Sequence, residues 1–258
     1  MIPLDARHGA NLAAFDTRLQ TATVFILGAG GLGCPLALLL ARVRVGHLVI
    51  ADGDRVELSN LPRQILHTSS RLGEPKVHSL RRTLRDFASD TRVTPIHDRV
   101  TPGNIHSLLQ SCDLAVDGCD NFASRHLMNR ACLDLGIPYI SGAVLGFEGQ
   151  VGAFMHGLDP HASCYACLHP EPGELACGLE PLVPTCATSG VLGPIAGQIA
   201  VLQAKMVVEI LTLGISGMQA SGLWLINPMD HLFMRVAIPK NPGCRVCGEP
   251  AAGRLRGL

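Results

Sequence analysis

The sequence carries no excess of charge of either sign: Lys plus Arg equals Asp plus Glu, at 21 each among 258 residues. That balance gives no general electrostatic reason to expect nucleic acid or an anionic membrane as a partner. An N-terminal apolar run is also missing. Asp5, Arg7 and His8 stand where a secretory signal would need apolar residues. No long stretch is free of polar residues. The most apolar one, Val191–Leu213, is interrupted by Gln198, Gln203, Lys205 and Glu209. A membrane span wants about 20 apolar residues with few charges, so this stretch reads as a buried core helix. Internal repeats and low-complexity tracts are absent, and the eleven histidines contain no His-x-x-x-His pair. No chemistry is therefore assigned to histidine. The expectation is a cytoplasmic protein with neither membrane nor nucleic acid as a partner.

Hydrophobic residues make up 47% of the chain and charged residues 16%, enough for a sizeable core under a modest charged surface. The length suits one large α/β domain or a domain with an appended lobe. Short β-rich runs alternate with helical patterns over the first part. Strands are expected at Thr23–Leu27, His47–Ala51, Val93–Ile96, Leu114–Val116 and Pro138–Ile140. Helices are expected at Cys34–Val43, Lys76–Phe87, Ile105–Gln110 and Ala123–Leu135, with a polar segment over 55–73. This alternation predicts a Rossmann-like, doubly wound, mostly parallel sheet. After about residue 145 the pattern changes. Gly149–Met155, Leu223–Ile226 and Phe233–Ile238 read as antiparallel strands that continue the sheet, around a Pro/Gly/Cys-rich loop over Cys164–Pro194. The expected organisation is an N-terminal segment over 1–20, a nucleotide-binding part over 21–145, a second lobe over 146–248 and a tail over 249–258.

Gly28-Ala29-Gly30-Gly31-Leu32-Gly33 follows a predicted strand and opens a predicted helix. Glycines let a backbone turn tightly and approach phosphates, and a helix N-terminus offers free N–H groups. Asp52 ends the next strand, 21 residues after Gly31, where a carboxylate can hold a ribose. The bland alternative is a turn without a ligand. The turn alone does not separate ATP from NAD or FAD. Its neighbours favour ATP. Asp54, Asn60, Arg63, Gln64 and Lys76 crowd the stretch after the second strand. Singly, each reads as a solvated loop residue. Together they suit nucleotidyl transfer, in which charge builds on a triphosphate and fixed cations stabilise it. Asp120 and Asn121 follow a later strand on the same carboxyl edge, and Asp120 can hold Mg²⁺.

The segments Gly28–Gly33, Asp52-Gly-Asp54, Leu58-Ser-Asn-Leu-Pro-Arg-Gln64, Pro75-Lys76 and Asp120-Asn121 resemble the ThiF/MoeB/HesA family, bacterial relatives of ubiquitin-activating enzymes. The resemblance runs over about residues 20–248. It implies ATP-dependent adenylation of the C-terminal glycine carboxylate of a small ubiquitin-like sulfur-carrier protein ending in Gly-Gly. It also implies a homodimer. By motif, Gly31, Asp52, Ser59, Asn60, Arg63, Lys76, Asp120 and Asn121 would line the ATP site, with Gly28, Gly30, Gly33 and Asp54 framing it. Asp52 would hold the ribose, Arg63 and Lys76 the phosphates, and Asp120 the Mg²⁺. Two features depart from the family. Pro62 stands where the family usually has Gln. The usual Arg-Tyr-x-Arg-Gln element, which sends an arginine into the partner subunit's ATP site, is missing. An ungapped count puts Leu4 there, with Arg7 and Arg18 as the nearest arginines.

Ten cysteines fit a reducing compartment unless their spacing says otherwise. Cys164-Tyr-Ala-Cys167 and Cys244-Arg-Val-Cys247 are two Cys-x-x-Cys knuckles, the pattern of a closed, structural Zn²⁺ site; four unrelated buried thiols are the alternative. A redox knuckle fits less well, because neither opens a helix after a strand. The resemblance implies zinc too. It also aligns Cys186, in the loop before the long helix, with a cysteine that some members link covalently to the carrier; Cys177 is a nearby competitor. A loop cysteine without a catalytic role is the even alternative, since sequence shows neither exposure nor thiol acidity. Cys34, Cys112, Cys119 and Cys132 read as packing residues. The favoured function is thus an adenylyltransferase serving thiamine, molybdopterin or other sulfur-transfer biosynthesis. With no rhodanese-like extension, its sulfur donor is expected to be a separate protein. Alternatives are adenylation of a short peptide or another carboxylate, a non-catalytic scaffold for a ubiquitin-like protein, and an NAD-dependent oxidoreductase.

Overall fold

The computed structural model describes residues 17–88, 90–171, 190–214 and 222–248. In chain order the elements are β1 (Thr23–Leu27), α1 (Gly33–Arg42), β2 (His47–Ala51), α2 (Lys76–Phe87), β3 (Arg92–Ile96), α3 (Ile105–Leu109), β4 (Leu114–Asp117), α4 (Phe122–Leu135), β5 (Tyr139–Leu145), β6 (Glu148–Phe154), α5 (Tyr165–Leu168), α6 (Gly193–Leu213), β7 (Gly222–Asn227) and β8 (Leu232–Ala237). The strands form one sheet in the order β3-β2-β1-β4-β5-β6-β7-β8. Pairings are parallel from β3 through to β5 and antiparallel from β5 to β8. The expected mostly parallel sheet with an antiparallel continuation is what the chain builds.

β1 shows how the layers form. Successive side chains of a strand point to opposite faces. Val24 and Ile26 enter one core with residues of α1, α2 and α6, such as Leu36, Leu80 and Ile199. Phe25 and Leu27 enter the other with Ile105 of α3 and Met128 of α4. A strand buried on both faces reads as an unbroken apolar run, which is why its bounds were legible. α2 is amphipathic instead: Val77, Leu80 and Leu84 are buried and Arg81, Arg82 and Arg85 exposed. α4 is bounded by chemistry at both ends. The Asn121 side chain accepts from the Ser124 N–H, and Gly136 leaves the helix with φ of 67°.

α6 is long and apolar enough to cross a membrane by composition, but 56% of its most apolar window is buried inside the protein. It packs on α1, β5 and β6. Its exposed Lys205 pairs with Glu209 one turn on. The reading as a core helix stands.

Three local differences from the sequence reading have physical causes. β5 runs to Leu145 rather than Ile140, and pairs with β6 over its whole length. The extension, Ser141-Gly-Ala, has small residues that give no strand signal. Its Gly142 leaves room for Gln203, whose amide nitrogen would lie 2.5 Å from a Cβ there and would have to shift. The polar segment is not featureless: it holds 3₁₀ turns at Leu58–Asn60 and Ser69–Arg71, closed by a bridge between Arg55 and Pro75. Within the expected Cys-rich loop, Tyr165–Leu168 forms a helical turn with Cys164 at its N-cap.

Candidate active site

β1 lies between β2 and β4, and the chain leaves β1 for α1 on one face of the sheet and β4 for α4 on the other. Such a switch point opens a crevice at the carboxyl ends of the strands, where doubly wound sheets bind their ligands. The glycine turn follows β1 at this point, and the loop beginning at Gly118 follows β4. The two touch. Gly28 has φ of +100°, and a Cβ on it would lie 3.3 Å from the Gly118 carbonyl oxygen. A Cβ on Gly33 would come within 1.9 Å of the Gly28 carbonyl oxygen, so the helix can begin this close to the strand only with glycine.

Hydrogen bonds fix the turn from two sides. The Asp52 carboxylate accepts from the Ala29 N–H and, with its other oxygen, from the Asp54 N–H, both at 2.8 Å. The Ala29 carbonyl accepts from His67 Nε2 at 2.9 Å and from the Cys34 thiol at 3.3 Å. Lys76 opens α2 and is almost wholly buried, yet its ammonium reaches the exposed Asp54 carboxylate at 2.8 Å. That hydrogen bond holds the Asp54 carboxyl below its usual range, against the opposing pull of burial.

The 58–64 loop forms the neighbouring wall. The Asn60 side-chain oxygen accepts from Arg63 Nη2 at 3.0 Å and from Gln64 Nε2 at 3.1 Å. Arg63 Nη1 donates to the Ser59 carbonyl at 3.0 Å. The loop lies against the turn: a Cβ on Gly31 would meet the Arg63 side chain at 3.6 Å. Pro62 costs the loop no hydrogen bond, because its turn is closed by the Arg63 and Gln64 N–H groups on the Asn60 carbonyl. The start of α6 packs behind, with Gly193 close to the Pro62 carbonyl. Ser59 is exposed and its hydroxyl lies 3.4 Å from Glu57.

On the β4 side, Asp120 is exposed and makes no ion pair or hydrogen bond among the described residues. Asn121 is committed to capping α4. Beneath them lies a network that sequence reasoning missed. Asp117 is fully buried at the end of β4, 3.5 Å from the Arg125 guanidinium, and accepts from the Tyr139 hydroxyl. Burial pushes the Asp117 carboxyl up while Arg125 pulls it down. Arg125 also donates to the Cys119 carbonyl at 2.6 Å, and Gln203 of α6 to the Asp117 carbonyl at 2.6 Å. Residues 117–119 are thereby pinned, and the pinned loop presents Asp120. The sequence signal was there, since two acids flank Gly118-Cys119, but only burial separates the structural acid from the free one.

His67 was missed as well. Its ring is buried, with Ser79 Oγ at 2.9 Å on Nδ1 and the Ala29 carbonyl on Nε2. Burial pushes its pKa below the ordinary value. Of the cysteines read as packing, Cys34, Cys112 and Cys132 are buried and Cys119 partly so. Burial pushes the Cys34 thiol up to about 12, which keeps it unreactive. Cys186 and Cys177 lie outside the described residues, as do Leu4 and Arg7. Arg18 precedes β1 at the opposite edge of the sheet, where its guanidinium donates to the Thr212 carbonyl.

The four knuckle cysteines converge. Their sulfur atoms all lie within 4.8 Å of one another, Cys164 and Cys244 at 3.8 Å and Cys167 and Cys247 at 3.4 Å. Tetrahedral Zn–S bonds of about 2.3 Å require sulfurs about 3.8 Å apart. Four thiols gathered this closely are a donor set that could close around zinc with shifts of about an ångström or less. The Asn241 N–H points at Cys167 Sγ at 3.5 Å, the kind of outer contact that orients a ligand sulfur.

The model of the ThiF family matches residues 10–246. The chain belongs to the ThiF family. Among its ThiF-family relatives, the SAMP-activating enzyme E1 of Haloferax volcanii is 40% identical over 233 residues, covering 90% of this chain and 82% of that protein. The sulfur carrier protein adenylyltransferase of Thermus thermophilus is 37% identical over 239 residues, covering 92% and 86%. The adenylyltransferase and sulfurtransferase MOCS3 of Culex quinquefasciatus is 40% identical over 233 residues, but the chain spans only 51% of its length. The fold matches that of E. coli MccB solved with ATP, with a TM-score of 0.77 at 24% identity, covering 93% of this chain and 70% of that one.

Proposed function

We propose that this ThiF-family chain is an adenylyltransferase that uses ATP to activate the C-terminal glycine carboxylate of a ubiquitin-like sulfur-carrier protein. The observation that carries the reading is the meeting of three features at one switch point. They are the glycine turn fixed by Asp52, the cation-bearing segment with Arg63 and Lys76, and the loop presenting the free Asp120. A carboxylate oxygen of the carrier attacks the α-phosphorus. The bond from that phosphorus to the bridging oxygen breaks, an acyl-adenylate forms and pyrophosphate leaves. No base is required, because the nucleophile is already ionised at neutral pH. Asp52, beside the turn, accepts from the ribose. Arg63 and Lys76 face the triphosphate, where fixed positive charge stabilises the departing pyrophosphate. Mg²⁺, held by Asp120, would add charge neutralisation there. Zn²⁺ on Cys164, Cys167, Cys244 and Cys247 would tie the C-terminal segment to the body, with no open position for chemistry. The working form is a cytoplasmic homodimer that receives sulfur chemistry from a separate donor protein, with Cys186 available for a covalent link to the carrier.

ATP–pyrophosphate exchange tests the reading. Small proteins ending in Gly-Gly should support exchange of labelled pyrophosphate into ATP. Asp120→Ala should lower the rate by about 100-fold or more, the range for losing a group that stabilises transition-state charge. Nicotinamide turnover, or no exchange with any such protein, would overturn the reading, and exchange undiminished by Asp120→Ala would remove the Mg²⁺ role of Asp120.

A further inference from the structure

His67 bridges three elements, and the carbonyl it grips belongs to the glycine turn itself. That carbonyl, of Ala29, can only accept, so His67 Nε2 must carry the proton and Nδ1 must accept from the Ser79 hydroxyl. The ring is buried, 5% exposed, and holds one tautomer because the Ala29 carbonyl can only accept while the Ser79 hydroxyl is able to donate. The Ala29 N–H is meanwhile bound to Asp52. Both peptide groups of Ala29 are thus anchored.

In a trans peptide the carbonyl and the following N–H point in opposite directions. Drawing the Ala29 carbonyl inward to His67 turns the Gly30 N–H outward, toward the open carboxyl edge. Neither the Gly30 nor the Gly31 N–H donates to a protein group among the described residues. They are free to bind oxygen atoms of an anion.

We propose that His67 is a positioning residue for triphosphate binding, acting through the Ala29 carbonyl to aim the Gly30 N–H at the phosphates. The inference rests on the ATP-site reading above. Cys34 touches the same carbonyl but a thiol is a weak donor, so His67 sets the orientation.

The test compares two amide substitutions by equilibrium ATP titration without any carrier protein. His67→Gln can place its side-chain nitrogen near the position of Nε2 and keep the Ala29 bond. His67→Asn reaches only as far as Nδ1 and loses it. His67→Gln should bind ATP within about twofold of the parent, and His67→Asn about tenfold more weakly, the scale of one lost hydrogen bond. Their melting temperatures should match. Equal ATP affinity in the two would overturn the positioning role while leaving the ATP-site reading intact. Failure of the parent chain itself to bind ATP would sink both. A second measurement needs no variant. Nitrogen-15 spectra of the histidine-labelled chain should show one ring protonated at Nε2 and bare at Nδ1 at neutral pH, perturbed on adding ATP. The opposite tautomer would remove the grip on Ala29 and with it the proposal.

Discussion

Lys76 and His67 illustrate what a single residue does here. Each is buried, and each is held in place by a partner from another segment, Asp54 for the ammonium and the Ala29 carbonyl for the imidazole. The sequence made Lys76 legible because an isolated cation stands at the start of a helix beside a motif. His67 carries no such mark, since a lone histidine in a polar segment is indistinguishable from a solvated one until its burial is known. That burial has a pH consequence. Its folded pKa is depressed below the ordinary 6.5, so its contribution to stability is fully present above about pH 6.5 and is lost as pH falls toward the folded value. Lys76 and Arg71 push in the same direction and Asp52 against it. Urea midpoints measured from pH 7.5 down to 5 should fall with acid, and His67→Gln should flatten that slope. Parallel slopes in parent and variant would remove His67 from the account.

Elements were read well where one rule governed them. β1, β2 and α2 have the bounds their patterns predicted, because apolar runs or amphipathic spacing sit between glycine, proline and aspartate. β5 was cut short because its second half is made of small residues, whose strand state depends on pairing with β6 rather than on local preference. At the first strand–helix junction the decisive feature is steric. Gly33→Ala puts a methyl into the Gly28 carbonyl, which is backbone and cannot swing aside. It should destabilise the chain by about 1–3 kcal/mol, read as a lower urea midpoint, and weaken ATP binding with it. An alanine variant of parental stability would mean that α1 can shift without cost.

Across the molecule, the two Cys-x-x-Cys knuckles bring together residues 80 apart, Cys164 with Cys244 and Cys167 with Cys247. The pairing of these knuckles was the long-range contact most readable in the sequence, because metal geometry restricts the spacing of its ligands. The Asp117–Arg125–Tyr139 network was the least readable, because its members have no spacing rule. One zinc per chain is expected by elemental analysis. Cys247→Ser should lose most of it and lower the melting temperature by about 5 °C or more. A metal-free parent of equal thermal stability would exclude a structural zinc.

β5 pairs along one side with β4 and along the other with β6, and Tyr139, Ile140 and Ser141 are engaged on both sides at once. Backbone ladders of this kind do not flex like a loop between two bodies. A hinge at the join would have to break several of these bonds in every turnover. The parallel half that carries the glycine turn and the antiparallel half beyond it therefore travel as one plate, and any opening or closing during catalysis belongs to the segments around its rim.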